Sequence, residues 1–184
     1  MVGVRARLAH IKASGIVGIM LIIVCGLPGT GKTTLARALA ERFSAVHISS
    51  DLIRKEMMAR PTYNPDEKAR VYEELVERVA SLLAGGKSVV ADATFYRRPL
   101  RGRLVEAADR AGTKVHFVLC TLDEVEVMDR MASGEERGGS DADFSIYLRI
   151  KDEFEPLKAK HAVVDCGLPL EEQVAVVERF IEGE

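Results

Sequence analysis

The chain has 184 residues, of which 47% are hydrophobic and 29% charged, with a formal net charge of -2. That length suits one domain with a continuous core, the balance of apolar and charged residues excludes a disordered or fibrous protein, and so slight a charge excludes a global field recruiting nucleic acid. Three scattered cysteines, Cys25, Cys120 and Cys166, and four scattered histidines, His10, His47, His116 and His161, lack the close spacing of a zinc site or a disulfide framework.

At the N-terminus Arg5, Arg7 and Lys12 precede an apolar stretch from Ile16 to Val24, which imitates a signal sequence. The stretch is shorter than the roughly 20 apolar residues that span a bilayer, and it runs directly into a glycine-rich loop that cleavage would destroy. No membrane association and a cytoplasmic location are therefore expected. Residues 1–19 contain no acidic side chain and precede a second methionine, Met20; they read as a loose extension or an over-long translation start, with one domain over 20–184.

The run Met20 to Cys25 is apolar on both alternating faces, as a strand covered on both sides by helices must be. After the loop GLPGTGKT, Leu35, Leu39 and Phe43 form one apolar stripe, predicting a helix over 32–43. A short strand over 45–48 is expected next, then a helix over 51–58 stopped by Pro61. Asn64, Pro65 and Asp66 form a helix start, and apolar residues from Tyr72 to Leu83 keep helical spacing until Gly85 and Gly86 end it. The pattern continues with a strand over 88–92, a helix around Leu100 to Ala108, a strand over 114–120 and a helix over about 123–131. A polar, glycine-rich stretch over 133–142 reads as a mobile loop. A helix over 143–154, a strand over 162–165 and a helix over 170–181 complete the chain. This alternation predicts a three-layer α/β fold, a parallel sheet of about five strands with helices on both faces and a helical lid over about 130–145.

The loop carries the chemistry read first. Gly26, Gly31, Lys32 and Thr33 fill every fixed position of the phosphate-loop pattern between a predicted strand and helix. Glycines let successive backbone amides turn toward an anion at a helix N-terminus, where the macrodipole favours negative charge. The segment Gly26, Leu27, Pro28, Gly29, Thr30, Gly31, Lys32, Thr33 and Thr34 is therefore the expected ATP site. Lys32 bridges the β- and γ-phosphates in that reading, and Thr33 presents a hydroxyl to Mg²⁺.

Asp51 follows the second strand, at the edge where open α/β sheets bind ligands. It reads either as a general base for an attacking hydroxyl or as a helix cap, roles that can coexist. Arg54 lies one turn on, a surface cation or a ligand for the acceptor. Asp92 closes the third strand where a carboxylate orients Mg²⁺, with Thr94 in support. The segment FYRRPLRGR gathers Arg97, Arg98, Arg101 and Arg103 at a helix start. Cations there oppose the macrodipole by about 0.3–1 kcal/mol each, so an anionic acceptor or a solvated face accounts for them. Arg130 and Arg137 flank the mobile stretch and can meet charge developing on a transferred phosphoryl group, or pair with Glu135 and Glu136.

With GLPGTGKTT, SSDLIR, VVADATF and DRMASGEERGGSDADF in this order, the chain from Met20 onward resembles the polynucleotide-kinase-like branch of P-loop kinases. The resemblance implies Asp51 as general base, Arg54 on the acceptor side, and Arg130 and Arg137 as lid arginines. No appended phosphatase, ligase or DNA-end-binding element is recognisable, and similar architecture serves kinases of sugars, antibiotics, nucleosides and aminoacyl-tRNA, and zeta-type toxins. The implied function is phosphoryl transfer from Mg-ATP to a hydroxyl, on a polynucleotide 5′ end or a small molecule. The alternative is an NTPase or nucleotide-dependent switch with no dedicated acceptor.

Overall fold

The computed structural model describes residues 18–58, 60, 62, 64–133 and 144–183. Strand β1 (Met20–Gly26) leads through the glycine loop into helix α1 (Lys32–Arg42), and β2 (Val46–Ser49) leads directly into α2 (Ser50–Met57). Helix α3 (Pro65–Ala84), β3 (Val89–Asp92), α4 (Arg98–Arg110) and β4 (Lys114–Thr121) follow. Helices α5 (Glu124–Ser133) and α6 (Phe144–Glu153), strand β5 (His161–Asp165) and α7 (Leu170–Glu182) complete the order. The boundaries fall within about two residues of those expected, the usual scatter where helix ends fray. Ten residues of the expected lid, 134–143, lie outside the described residues.

All five strands are parallel, in the order β2-β3-β1-β4-β5. The chain winds outward from β1 to β2, returns to β3, then crosses to β4 and β5. That reversal opens a crevice at the carboxyl ends of β1, β3 and β4, the place where doubly wound sheets bind ligands.

Alternate residues of β1 serve opposite cores. Leu21, Ile23 and Cys25 pack with Val71, Leu75 and Val79 of α3 and with Leu104 and Ala108 of α4. Met20, Ile22 and Val24 pack with Leu35 and Leu39 of α1 and with Val177 and Ile181 of α7. Burial of each such aliphatic side chain is worth about 1.5–3 kcal/mol, so the central strand is pinned from both sides and the loop that leaves it starts from a rigid base. Helix α3 begins as its sequence predicts: the Asn64 side chain accepts a hydrogen bond from the Glu67 amide at 2.8 Å, and Pro65 occupies the first turn. Cys25, Cys120 and Cys166 are free and buried.

Candidate active site

The phosphate loop leaves β1 through Gly26, whose φ of 148° is open to glycine; a β-carbon there would lie 2.4 Å from the Cys120 carbonyl oxygen. At the other end Gly31, with φ 87°, occupies the cap position of α1 and supplies no side-chain hydrogen bond to the helix amides. The first turn of α1 therefore carries no side-chain cap, as a helix start that is to receive an anion requires. Within the loop, the Thr30 hydroxyl donates to the Leu27 carbonyl at 2.9 Å, and the Lys32 ammonium donates to the same oxygen at 2.6 Å.

Beside the loop, the Thr33 hydroxyl donates to Asp92 Oδ2 at 2.7 Å, and Asp92 is only 2% exposed. The pairing of β1 with β3, Val24 opposite Asp92, brings the two together. His47 of β2 approaches the same oxygen through Nε2 at 3.3 Å. A hydroxyl and a carboxylate side by side at the loop form a hard oxygen donor set that suits Mg²⁺. Among the described residues no three His, Cys, Asp or Glu side chains converge into a metal cage.

Asp51, in the first turn of α2, accepts a hydrogen bond from Arg54 Nη1 at 2.8 Å. Loss of solvent around its carboxyl raises its pKa above the usual carboxylate value, and the Asp92 charge adds to this; the Arg54 and Lys32 cations act in the opposite direction. Arg54 is buried, and its Nε donates to Glu67 Oε1 at 3.1 Å. Its expected place at the acceptor side thus comes with two carboxylate partners inside the protein.

Thr94 stands just beyond β3, and its hydroxyl lies 3.1 Å from the hydroxyl of Tyr72. Burial pushes the Tyr72 phenol up to about 12, so it stays a neutral donor and acceptor. The next residue, Phe95, is wholly buried at φ 44°, and its amide donates to the Tyr72 oxygen at 3.4 Å. A phenylalanine in the left-handed region is strained; its edge contact with the Tyr72 ring, 5.7 Å between centroids, helps hold it there.

The arginine cluster divides. Arg97 is exposed and donates to Glu153 Oε2 at 2.8 Å, while Arg98 is exposed on the first turn of α4. Arg101 departs from the expectation of a solvated or ligand-facing cation: it is 5% exposed and donates to the carbonyls of Phe95 and Glu155 at 2.7 and 2.9 Å. It ties the end of β3 to the segment after α6.

Arg130, in the last turn of α5, sits on the opposite flank of the loop. Its Nη2 donates to the Cys166 carbonyl at 3.3 Å, and its Nη1 would lie 3.5 Å from a β-carbon at position 31. Arg137 lies outside the described residues. Three contributors escaped the sequence reading. His47 is one of four scattered histidines, Tyr72 one member of an apolar stripe, and Glu67 was not singled out at all. The asparagine-to-glutamate spacing at the start of α3 was the one signal that Glu67 had something to reach.

A family model described as an AAA domain matches residues 21–157. The chain belongs to this family. It is 33% identical over 139 residues to an uncharacterized protein of Mycobacterium tuberculosis, a match over 67% of this chain that spans only 27% of that relative's length. It is 30% identical over 155 residues to a cytidylate kinase of Pyrococcus furiosus, covering 73% of this chain and 80% of the relative. Among solved structures, a gluconokinase from Sinorhizobium meliloti superposes with a TM-score of 0.66 at 25% identity, over 88% of this chain and 91% of the other. The five-stranded parallel sheet and the phosphate loop are those of a nucleotide-binding P-loop kinase. Among the described residues no helix is long and apolar enough to cross a membrane.

Proposed function

We propose that this kinase domain moves the γ-phosphoryl group of Mg-ATP to a hydroxyl acceptor, with Asp51 as general base, in the manner of polynucleotide-kinase-like and zeta-toxin-like enzymes. The observation that carries this reading is the position of Asp51. It stands at the carboxyl end of β2, close enough to Lys32 and Asp92 to feel both charges, and holds an arginine on one oxygen. A carboxyl whose pKa is raised by burial is a better proton acceptor than a fully solvated aspartate.

The steps follow from the residues. A phosphate oxygen is a stronger partner for the Lys32 ammonium than the neutral Leu27 carbonyl it holds at 2.6 Å, so nucleotide binding draws Lys32 onto the β- and γ-phosphates. Thr33 and Asp92 would hold Mg²⁺, which neutralises charge on the phosphates. The acceptor O–H gives its proton to Asp51 while its oxygen bonds to the γ-phosphorus, the bond to the β,γ-bridging oxygen breaks, and ADP leaves. Arg130, with Arg137, stabilises the transferring group as the segment over 130–145 closes. Arg54, Thr94, Arg97 and Arg98 border the acceptor, and residues 1–19 are an extension outside the catalytic domain. A cytoplasmic setting, rich in ATP and reducing, suits the three free cysteines.

A screen with γ-labelled ATP identifies the acceptor. It should span RNA and DNA 5′-hydroxyl ends, nucleosides, aminoglycosides and, from the names of the relatives, gluconate and cytidylate. With the acceptor in hand, Asp51→Asn should lower transfer by about 10²–10⁴-fold while ATP affinity measured by calorimetry stays within about twofold. Transfer undiminished in that variant would remove Asp51 from the role of base.

A further inference from the structure

Glu67 is a carboxylate in an unusual place. It lies three residues after Asn64 at the start of α3, the spacing of a capping box, in which such a side chain turns back to the cap residue's own amide. Here the side chain goes elsewhere. Oε1 accepts from Arg54 Nε at 3.1 Å, and Oε2 accepts from the Thr62 amide at 2.6 Å and the Thr62 hydroxyl at 2.8 Å. Asn64 in turn donates to that hydroxyl at 2.8 Å. Glu67 is 5% exposed and Arg54 6%. A carboxylate so deeply buried is tolerated when it is paired and hydrogen-bonded.

The consequence falls on Arg54. Its planar fork is divided, Nε to Glu67 and Nη1 to Asp51 at 2.8 Å, a geometry that a lysine's single ammonium cannot reproduce. Were the guanidinium to swing onto a phosphate of the acceptor, it would leave the Glu67 carboxylate buried without it. We propose that Glu67 is a positioning residue of the acceptor site, clamping Arg54 onto Asp51 so that the guanidinium orients the carboxylate and keeps it ionised, and the acceptor is received there through an uncharged hydroxyl-bearing part rather than through a phosphate. The proposal rests on the reading of Asp51 as the base. It names a class: alcohols such as sugars or nucleosides whose groups beside the reacting hydroxyl are neutral.

The groups that act on Asp51 are Arg54 from its own helix, Lys32 from the start of α1, Asp92 from the end of β3, and Tyr72 from α3, whose phenol feels the Asp51 charge. Glu67 reaches it through Arg54. This fixes the signs of a test that requires no acceptor, the titration of the Asp51 carboxyl followed by carbon NMR and assigned with Asp51→Asn. Glu67→Ala should release Arg54 and raise the Asp51 midpoint by about one pH unit, the effect of losing a nearby opposite charge. Arg54→Met should raise it as much, and the double variant no further. A midpoint that falls in Glu67→Ala would mean that Glu67 acts merely as a like charge, and an unmoved midpoint in folded protein that it merely supports the helix; either result overturns the proposal.

Should Glu67→Ala fail to fold, the wild-type protein gives an independent answer. With Mg²⁺ and a non-hydrolysable ATP analogue filling the phosphate loop, millimolar inorganic phosphate should leave the Arg54 Nε–Hε resonance unmoved. A saturating shift of that resonance would show Arg54 free to hold an acceptor phosphate and would sink the clamp. Loss of transfer in Asp51→Asn tests the base itself, so the two readings fail separately.

Discussion

The two flanks of the crevice are built from different materials. The nucleotide flank is made of main chain: glycines at φ 148° and 87°, an uncapped helix start, and Lys32 and Thr33 on the first turn of α1. The acceptor flank of the proposed reaction would be made of side chains from separate elements, Asp51 and Arg54 of α2, Glu67 and Tyr72 of α3, and Thr94 beyond β3. A backbone cradle suits an invariant triphosphate, whereas a mesh of side chains can be re-cut for a different alcohol without disturbing the cradle. One architecture does carry kinases named for cytidylate and for gluconate.

The sharpest way to break the comparison is at Lys32, the cation nearest the expected phosphates on the nucleotide flank. Lys32→Ala should lower turnover by about a thousandfold and weaken ATP binding in calorimetry with every acceptor alike. A variant that lost transfer to one acceptor only would place Lys32 on the acceptor flank and undo the division.

The same contrast explains what the sequence could and could not tell. The loop, the order of strands and helices, and the start of α3 at Asn64 were legible because each depends on local chemistry: glycine freedom, alternation, and a cap followed by proline. Asp51 and Asp92 were legible as carboxylates at strand ends. The partners of those carboxylates were not. His47 meets Asp92 only because β2 pairs with β3, Ser49 opposite Asp92. Arg54 meets Glu67 across thirteen residues through a turn of helix packing. Arg101 read as a solvated or acceptor-facing cation because its sequence neighbours are arginines, yet it is buried on two main-chain carbonyls, one of them 54 residues away. Local pattern carries no information about such distant partners. Arg130 was legible as an arginine beside a glycine-rich stretch, but its seat on Gly31 and the Cys166 carbonyl depends on β5 lying beside β4.

Within the arginine cluster the comparison predicts a smaller effect, on stability rather than on rate. Arg101→Ala leaves the carbonyls of Phe95 and Glu155 without the charged donor that binds them. Hydrogen bonds to charged groups are worth about 1.5–3 kcal/mol each, and Phe95 already holds an unfavourable φ of 44°. We expect about 2 kcal/mol or more of lost stability in urea, with an altered acceptor KM as Thr94 loses its anchored neighbour. Unchanged stability would return Arg101 to the surface and to the acceptor.

The smallest effect is expected at Arg97, four residues away. Its guanidinium is solvent-exposed, and its bond to Glu153 at 2.8 Å is of the kind that double-mutant measurements find close to neutral. The Glu153 hydrogen bond holds its pKa raised, which leaves the arginine charged at every pH at which the protein folds, so no pH dependence should come from it. Arg97→Ala should therefore leave the urea midpoint unmoved, and its one readout is the acceptor. If the acceptor bears charge remote from its reacting hydroxyl, KM should rise several-fold at low salt and the difference should shrink as salt screens it. If KM is also unmoved, Arg97 lies outside the acceptor's reach and Arg98 is left as the exposed arginine on the first turn of α4 to contact it. Either result bounds the acceptor flank at its outer edge, where the clamp on Arg54 bounds it at the inner one.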